Sequence, residues 1–310
     1  MRKLRVIRIV IATFFLLAVT ACFLDFTGTA AKWFGWTVKL QLMPAALALS
    51  LAAAAILVVT LLFGRIYCSV VCPLGILQDL AFFFRRMVVR GCRKIRSSSD
   101  AINCVPPESG IGVPPESGIG AKSCASAGGS QFTATGLVTR NIVRYAIATV
   151  FFAGGFLGLH FTWLEPYAIY GRMATGLAAP FVRLGNNHLA AWAERHGSYA
   201  FHVVEVVAPP LCLVILSAAL LVLILALAVW KGRFWCNTVC PVGTVLGCLS
   251  KVSLLKPKID LAKCVKCGMC ERICKAQSID IAGGTIDRTT CVACFDCGAV
   301  CKKGALTWSR

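Results

Sequence analysis

GRIYCSVVCPLG, residues 64–75, recurs as GRFWCNTVCPVG, residues 232–243. Seven of the twelve positions are identical at an offset of 168, and both copies keep a Cys-x3-Cys-Pro core. Each copy follows directly on a long uncharged run, Leu40–Phe63 for the first and Val206–Trp230 for the second. Two more such runs, Ile9–Leu24 and Tyr145–Leu164, come before them. A helix that crosses the hydrocarbon core of a bilayer needs roughly 20 apolar residues. The chain therefore reads as a helix pair plus CxxxCP, twice over. Parallel repeats of this kind are expected to pack about an axis along the membrane normal. That symmetry would bring Cys68, Cys72, Cys236 and Cys240 together.

Composition supports the membrane reading. Of the 310 residues 58% are hydrophobic and only 15% charged, yet the net charge is +19. Soluble domains carry about half apolar residues. No basic stripe on a soluble fold is visible, so a nucleic-acid partner is not expected. Lys and Arg are unevenly placed: four in the first eight residues, nine in residues 64–141, and thirteen after Trp230. The segments 25–39 and 165–205 carry two and three. Positive segments stay inside, which predicts cytoplasmic termini, a cytoplasmic middle segment and two outward connections in a multi-pass inner-membrane protein. VTAC, residues 19–22, also has the form of a lipoprotein cleavage site ahead of Cys22. An uncleaved first helix is the preferred reading, because it completes a repeated unit.

The chain holds 18 cysteines, and eight of them close it. They form Cys264-x2-Cys267-x2-Cys270-x3-Cys274 and Cys291-x2-Cys294-x2-Cys297-x3-Cys301. Each run has the spacing of one half of a bacterial two-cluster ferredoxin, in which the fourth cysteine ligates the other cluster. Cys264, Cys267, Cys270 and Cys301 are thus assigned to one 4Fe–4S cluster. Cys291, Cys294, Cys297 and Cys274 are assigned to the second. Between the runs, Gly283-Gly284 marks the turn of a hairpin whose isoleucines cover the clusters. Structural zinc sites would instead show CxxC pairs separated by longer loops. The proline usual after the fourth cysteine is absent, and Lys275 and Lys302 stand in its place.

The CxxxCP cysteines leave more than one reading open. Four thiols about an axis suit an iron–sulfur cluster or a single metal ion. They also suit a redox-active dithiol, or plain packing. Pro73 and Pro241 suit the first turn of a following helix. LGILQDLAFFFRRMVVR after Pro73 fits an interfacial helix lying along the membrane.

The paired GRxxCxxxCPxG motifs together with the two tail runs resemble the NapH/MauN group of membrane-bound polyferredoxins, with parts shared by NosR-type and RdxA/CcoG-type proteins. The resemblance spans nearly the whole chain. It implies four transmembrane helices, two [4Fe–4S] clusters and electron transfer between the quinone pool and redox partner proteins; it fixes neither the partner nor the direction of flow.

The expected architecture is an all-α polytopic membrane domain of two repeated helix pairs, followed by an α+β ferredoxin-like domain. Its divisions are residues 1–90, a low-complexity linker at 91–139 holding VPPESGIG twice, a second pair at 140–255, and the ferredoxin domain at 256–310. Cys92, Cys104 and Cys124 lie in the linker without metal spacing, and Cys22, Cys212 and Cys248 read as packing residues. The expected partners are membrane lipid, quinone or quinol, and redox proteins. Quinone chemistry also needs proton acceptors at a membrane edge. His160, Glu165, His202 and Glu205 are the candidates, on the predicted outer side, although a site on the cytoplasmic side near CxxxCP fits equally. A quinol-oxidising subunit is one form this activity would take. Two other classes remain: a metal-ion (copper) reductase working at the CxxxCP thiols, and a redox sensor or assembly factor.

Overall fold

The computed structural model describes residues 1–42, 51–100, 134–156, 164–197, 201–206 and 209–309, with backbone alone at 90–100, 134–140 and 155–156. The duplicated octapeptide, Cys104, Cys124 and His160 lie outside the described residues, as do 43–50 and 157–163 of the second and third expected spans.

Helix α1 (Arg2–Leu24) is a continuous apolar helix, and α2 (Thr29–Lys39) folds back along it. Phe14 and Phe15 pack on Trp36 at ring distances of 6.1 and 5.8 Å. This return brings the chain to Gln41, whose Oε1 accepts from the Tyr67 hydroxyl at 3.0 Å, and to Leu42, whose amide donates to that hydroxyl at 2.9 Å. Most of the 25–39 connection is therefore helical. Trp36 touches α1 but stays 48% exposed, and Thr37 is the fully buried residue of α2.

Two repeated units follow. The first comprises α3 (Leu51–Phe63), the short α4 (Tyr67–Val70) and α5 (Pro73–Asp100). After α6 (Ala134–Phe156) and a helical stretch, the second unit comprises α9 (Leu211–Lys231), α10 (Phe234–Thr238) and α11 (Pro241–Ser250). The stretch between is α7 (Pro166–Met173), a π-helical turn at Ala174–Ala178, and α8 (Ala179–Arg195). It runs without interruption from 166 to 195, where the sequence suggested a connection. Its first half is buried in the common core through Ile169, Tyr170, Met173 and Ala174. Tyr170 meets Thr20 of α1 at 2.5 Å, and Ser217 of α9 donates to the Arg172 carbonyl at 3.2 Å. At the offset of 168, α1 corresponds to residues 170–192, inside this stretch. The motif offset thus sets α1 against the 166–195 helix.

Helices α1 and α9 are each long and apolar enough to cross a membrane, and α3 and residues 141–154 are shorter apolar helices. Large apolar side chains such as Leu17, Leu211, Val222 and Phe83 face outward, while Arg65, Arg144 and Arg233 are at most 1% exposed. That inversion of the usual soluble pattern agrees with membrane association. Helix α5 runs on to Asp100 and α6 begins at Ala134, so the segment read as a 91–139 linker is helical at both ends.

The tail is a small α+β unit. Strand β1 (Lys256–Ile259) pairs antiparallel with β4 (Leu306–Ser309). Strands β2 (Ile279–Asp280) and β3 (Thr285–Ile286) form the expected hairpin, with Gly284 in the left-handed region at φ 63°. Single-turn helices α12 (Met269–Ile273) and α13 (Asp296–Val300) each carry part of a cysteine run.

Each unit closes on itself at a glycine. A Cβ on Gly75 would strike the Cys68 carbonyl, and one on Gly243 would strike the Cys236 carbonyl. Each position is thus reserved for glycine by a close backbone approach. Gly75→Ala or Gly243→Ala is expected to lower the thermal denaturation midpoint of the purified protein, whereas Gly185→Ala, which meets nothing within 4 Å, is not.

Candidate functional site

The two CxxxCP motifs meet. Cys68, Cys72, Cys236 and Cys240 are 3–4% exposed, and each lies within electrostatic reach of others in the set. Each motif puts its first cysteine in a short helix and its second just ahead of a proline that opens the next helix. Cys240 caps α11, accepting a hydrogen bond from the Gly243 amide at 3.3 Å. Burial pushes the Cys236 thiol up to about 11 despite the opposing pull of Arg233 and Arg65.

Those arginines cross between the halves. Arg233, at the start of the second motif, donates to the Cys68 carbonyl of the first at 2.6 Å. Arg65, at the start of the first, donates to the Cys236 carbonyl of the second at 3.2 Å. Short helices such as α4 and α10 leave terminal carbonyls without helical partners, and a buried carbonyl needs a donor. The exchanged arginines supply it. They also place two positive charges beside four sulfurs, a field that favours an anionic group among them.

In the tail, a small cavity is lined by Cys274, Cys291, Cys294 and Cys297, walled by Ile279, Ile286, Phe295 and Trp308. The fourth cysteine of the first run thus joins the first three of the second run. The spacing assigned these four to one set; Cys301, assigned to the other, does not line this cavity. Cys270 lies near Cys264 and Cys267, and the two single-turn helices that carry the runs pack together. Both loops use the same backbone device. Lys266 and Ala293, each between two cysteines, have φ of 50° and 47°, and Gly268 and Phe295 follow at 72° and 60°. Left-handed non-glycine residues cost of order 1–2 kcal/mol each. Their repetition at matched positions curls each loop so that its sulfurs face inward. Four thiols around an apolar cavity are a donor set that fits a 4Fe–4S cluster. Among the described residues, no three His, Cys, Asp or Glu side chains converge at the distances that hold a single metal ion.

The tail is fastened to the helices at Lys275, the residue that replaces the usual proline. Its ammonium pairs with Asp79 of α5 at 2.5 Å and with Asp296 at 3.2 Å. Asp79 also pairs with Arg233 at 2.6 Å and Arg8 at 3.2 Å. Burial alone would raise the Asp79 carboxyl; Arg233 and Lys275 outweigh it and hold the group well below the usual carboxylate range. The Lys275 carbonyl accepts from the Arg233 amide at 2.8 Å, and the Ala276 carbonyl accepts from Asn237 at 3.1 Å. Arg65 reaches the Thr289 carbonyl at 2.7 Å. Cys274 and Cys294 consequently pack against the core that contains Cys68, Cys72 and Cys240. Lys302, the other proline substitute, is exposed and takes no part in this contact. Nothing in the sequence marked Asp79, Arg65 or Arg233 as functional, although both arginines sit inside the repeated GR dipeptide.

The outer candidates are not brought together. Glu165 is 8% exposed, and burial pushes its carboxyl up to about 7, opposed by Arg172. His202 and Glu205 are exposed in the segment that Asn186 and Asn187 tie to α8. Cys212 and Cys248 are exposed, not packed inside as expected, and Cys22 is half-buried.

A family model described as a 4Fe-4S binding domain matches residues 45–90 and 213–261, and a second 4Fe-4S binding domain model matches residues 256–279. The first match begins twice at the same offset that separates the CxxxCP motifs, and it covers both of them. The chain thus carries 4Fe–4S binding domains and is an iron–sulfur protein. A stretch of 62 residues is 46% identical to an uncharacterized protein of Methanocaldococcus jannaschii, covering 20% of this chain and 25% of that relative. The chain spans about a quarter of the length of the curated relative it matches. No solved structure matches it.

Removing the Asp79 carboxylate would leave Arg233, Lys275 and Arg8 facing one another. Loss of one partner of a buried ion pair costs roughly 3–5 kcal/mol. Asp79→Asn is therefore expected to speed proteolytic release of residues 256–310, whereas Lys302→Gln should not. The folded Asp79 carboxyl lies below its unfolded value of about 3.9, so its stabilisation is complete above that pH and fades as pH falls through the lower folded value. Attachment of the tail should be constant from neutrality down to about pH 4 and weaken only in stronger acid, as followed by pepsin cleavage.

Proposed function

We propose that this protein is a membrane-bound electron carrier of the NapH/MauN type, passing electrons between the quinone pool and redox partner proteins. The observation that carries this reading is the packing of the tail cysteines Cys274 and Cys294 directly on the buried core of CxxxCP cysteines. In this reading Cys264, Cys267, Cys270 and Cys301 hold one [4Fe–4S] cluster, and Cys291, Cys294, Cys297 and Cys274 hold the other. Cys68, Cys72, Cys236 and Cys240 hold a third iron–sulfur centre, the reading supported by a 4Fe-4S domain match over both motifs. Such clusters supply one-electron redox chemistry when bound.

The chain's own residues set the conditions. Phe295, Trp308 and Val292 keep water from the second thiol set. Arg65 and Arg233 supply positive charge at the buried thiols. Lys275 and Asp79 fix the spacing between the tail and the helices. A multi-pass inner-membrane location with a cytoplasmic tail follows from the Lys and Arg distribution and belongs to the same proposal. The copper-reductase reading has less support, since thiols that are 3–4% exposed offer no access to a dissolved ion.

The test is anaerobic. Protein in lipid discs, reduced by dithionite and freed of excess, should recover its iron–sulfur absorbance when a menaquinone analogue is added. Recovery with Cu(II) but not with quinone would overturn the proposal. Iron analysis should give about twelve atoms per chain for three cubane clusters, falling to about eight when all four CxxxCP cysteines become serine. Eight atoms in both proteins would remove the third centre.

A further inference from the structure

A cavity of about 300 Å³ opens between α1, α5 and the tail. This is the lower end of the range of small-molecule sites. Its outer wall is apolar, formed by Ile9, Leu80 and Phe83, which are 42%, 43% and 52% exposed and so continue the outward-facing apolar surface of α1 and α5. Arg8, Asp79, Lys275 and Asp296 make it polar where it meets the tail, and Arg5 and Arg86 also line it. The cavity is thus greasy where it meets the exterior and charged where it meets the tail.

The inner end is also the surroundings of a cysteine. Lys275, Asp296, Cys274 and Arg8 are the groups that act electrostatically on Cys294, and Asp296 lines both this cavity and the thiol cavity. A ligand seated here would rest one layer of side chains from the second thiol set.

We infer that this cavity binds the headgroup of a membrane quinone or quinol, with its isoprenoid tail leaving past Ile9, Leu80 and Phe83. The inference rests on the quinone-linked reading and gives it a site. Arg8 and Lys275 supply N–H donors for the ring oxygens, and Asp296 supplies an acceptor for a quinol hydroxyl. A lipid phosphate is the other amphiphile with this shape. It is the rival the test must separate: Arg5, Arg8, Arg86 and Lys275 line the cavity against two carboxylates, but Arg8 is held by Asp79, Lys275 by Asp79 and Asp296, and Arg5 by Asp296. A neutral headgroup with oxygens at its ends needs none of those pairs to break. Glu165, His202 and Glu205 do not line this cavity.

The test is a binding measurement on the full-length, cluster-loaded protein in phosphatidylcholine discs. The probe is the fluorescent quinol analogue heptyl-hydroxyquinoline-N-oxide, whose emission is quenched on binding. Thr13 borders the cavity, and its hydroxyl bonds only to the Ile9 carbonyl of its own helix, at 2.9 Å. Thr13→Phe should therefore fill the space while the fold and iron content are kept, and Leu80→Phe does the same from α5. Wild type is expected to quench the probe saturably, and each variant to raise the dissociation constant about tenfold or more. Glu165→Gln should leave it unchanged. If wild type binds and neither cavity variant alters the affinity, the site is elsewhere and this inference falls while the quinone reading stands. If wild type shows no saturable quenching, both fall. If phosphatidylglycerol added to the discs displaces the probe and photo-crosslinks to Leu80, the cavity is a lipid headgroup site and the inference is overturned.

Discussion

One carboxylate holds three parts of this molecule together. Asp79, on the helix that follows the first CxxxCP motif, is paired with Arg8 from the first helix, Arg233 from the second motif and Lys275 from the tail. A buried charge is tolerated only when its partners compensate for lost water. Here each partner comes from a different segment, so the compensation exists only in the assembled fold. The helices and the tail consequently cannot separate without exposing or orphaning charge. Two thiol sets are thereby held in one packed body.

The second constraint is the exchange of arginines between the repeats. Each GR dipeptide sends its guanidinium to the first cysteine carbonyl of the other motif. Neither half can satisfy its own short helix alone, which makes the repeat pair obligatory. The same exchange leaves both cations close to four buried sulfurs. Structural need and electrostatic tuning are met by the same two side chains. Lys275 plays a similar double part: it gives up the turn geometry of a proline and gains the contact that docks the tail.

Much of this was legible in residue order. Spacing of the tail cysteines set the fourth of each run apart from the first three: Cys274 and Cys301 each stand just past a single-turn helix, in extended backbone. The 168-residue offset carried the meeting of Cys68, Cys72, Cys236 and Cys240. The helical stretch at 166–195 was hidden by its composition: its small and polar residues lack the continuous apolar run that marks a lipid-facing helix, since it is buried against protein on one side. The return of α2 along α1 was hidden for a related reason, because eleven residues are too few to register as a span.

The sequence by itself determined the class of this protein: apolar helices, repeated CxxxCP motifs and two ferredoxin-type cysteine runs follow from local pattern, since period, length and ligand spacing are properties of residue order. Only the tertiary structure decided which charges meet. Arg65 and Cys236 are 171 positions apart, Arg233 and Asp79 154, and Lys275 and Asp79 196. Long-range ion pairs have no local signature; a lysine in place of a proline reads as a defect until the carboxylate it reaches is known. The cavity beside Cys294 is of the same kind, because its walls come from the first helix, the amphipathic helix and the tail, and its shape exists only where the three are packed together.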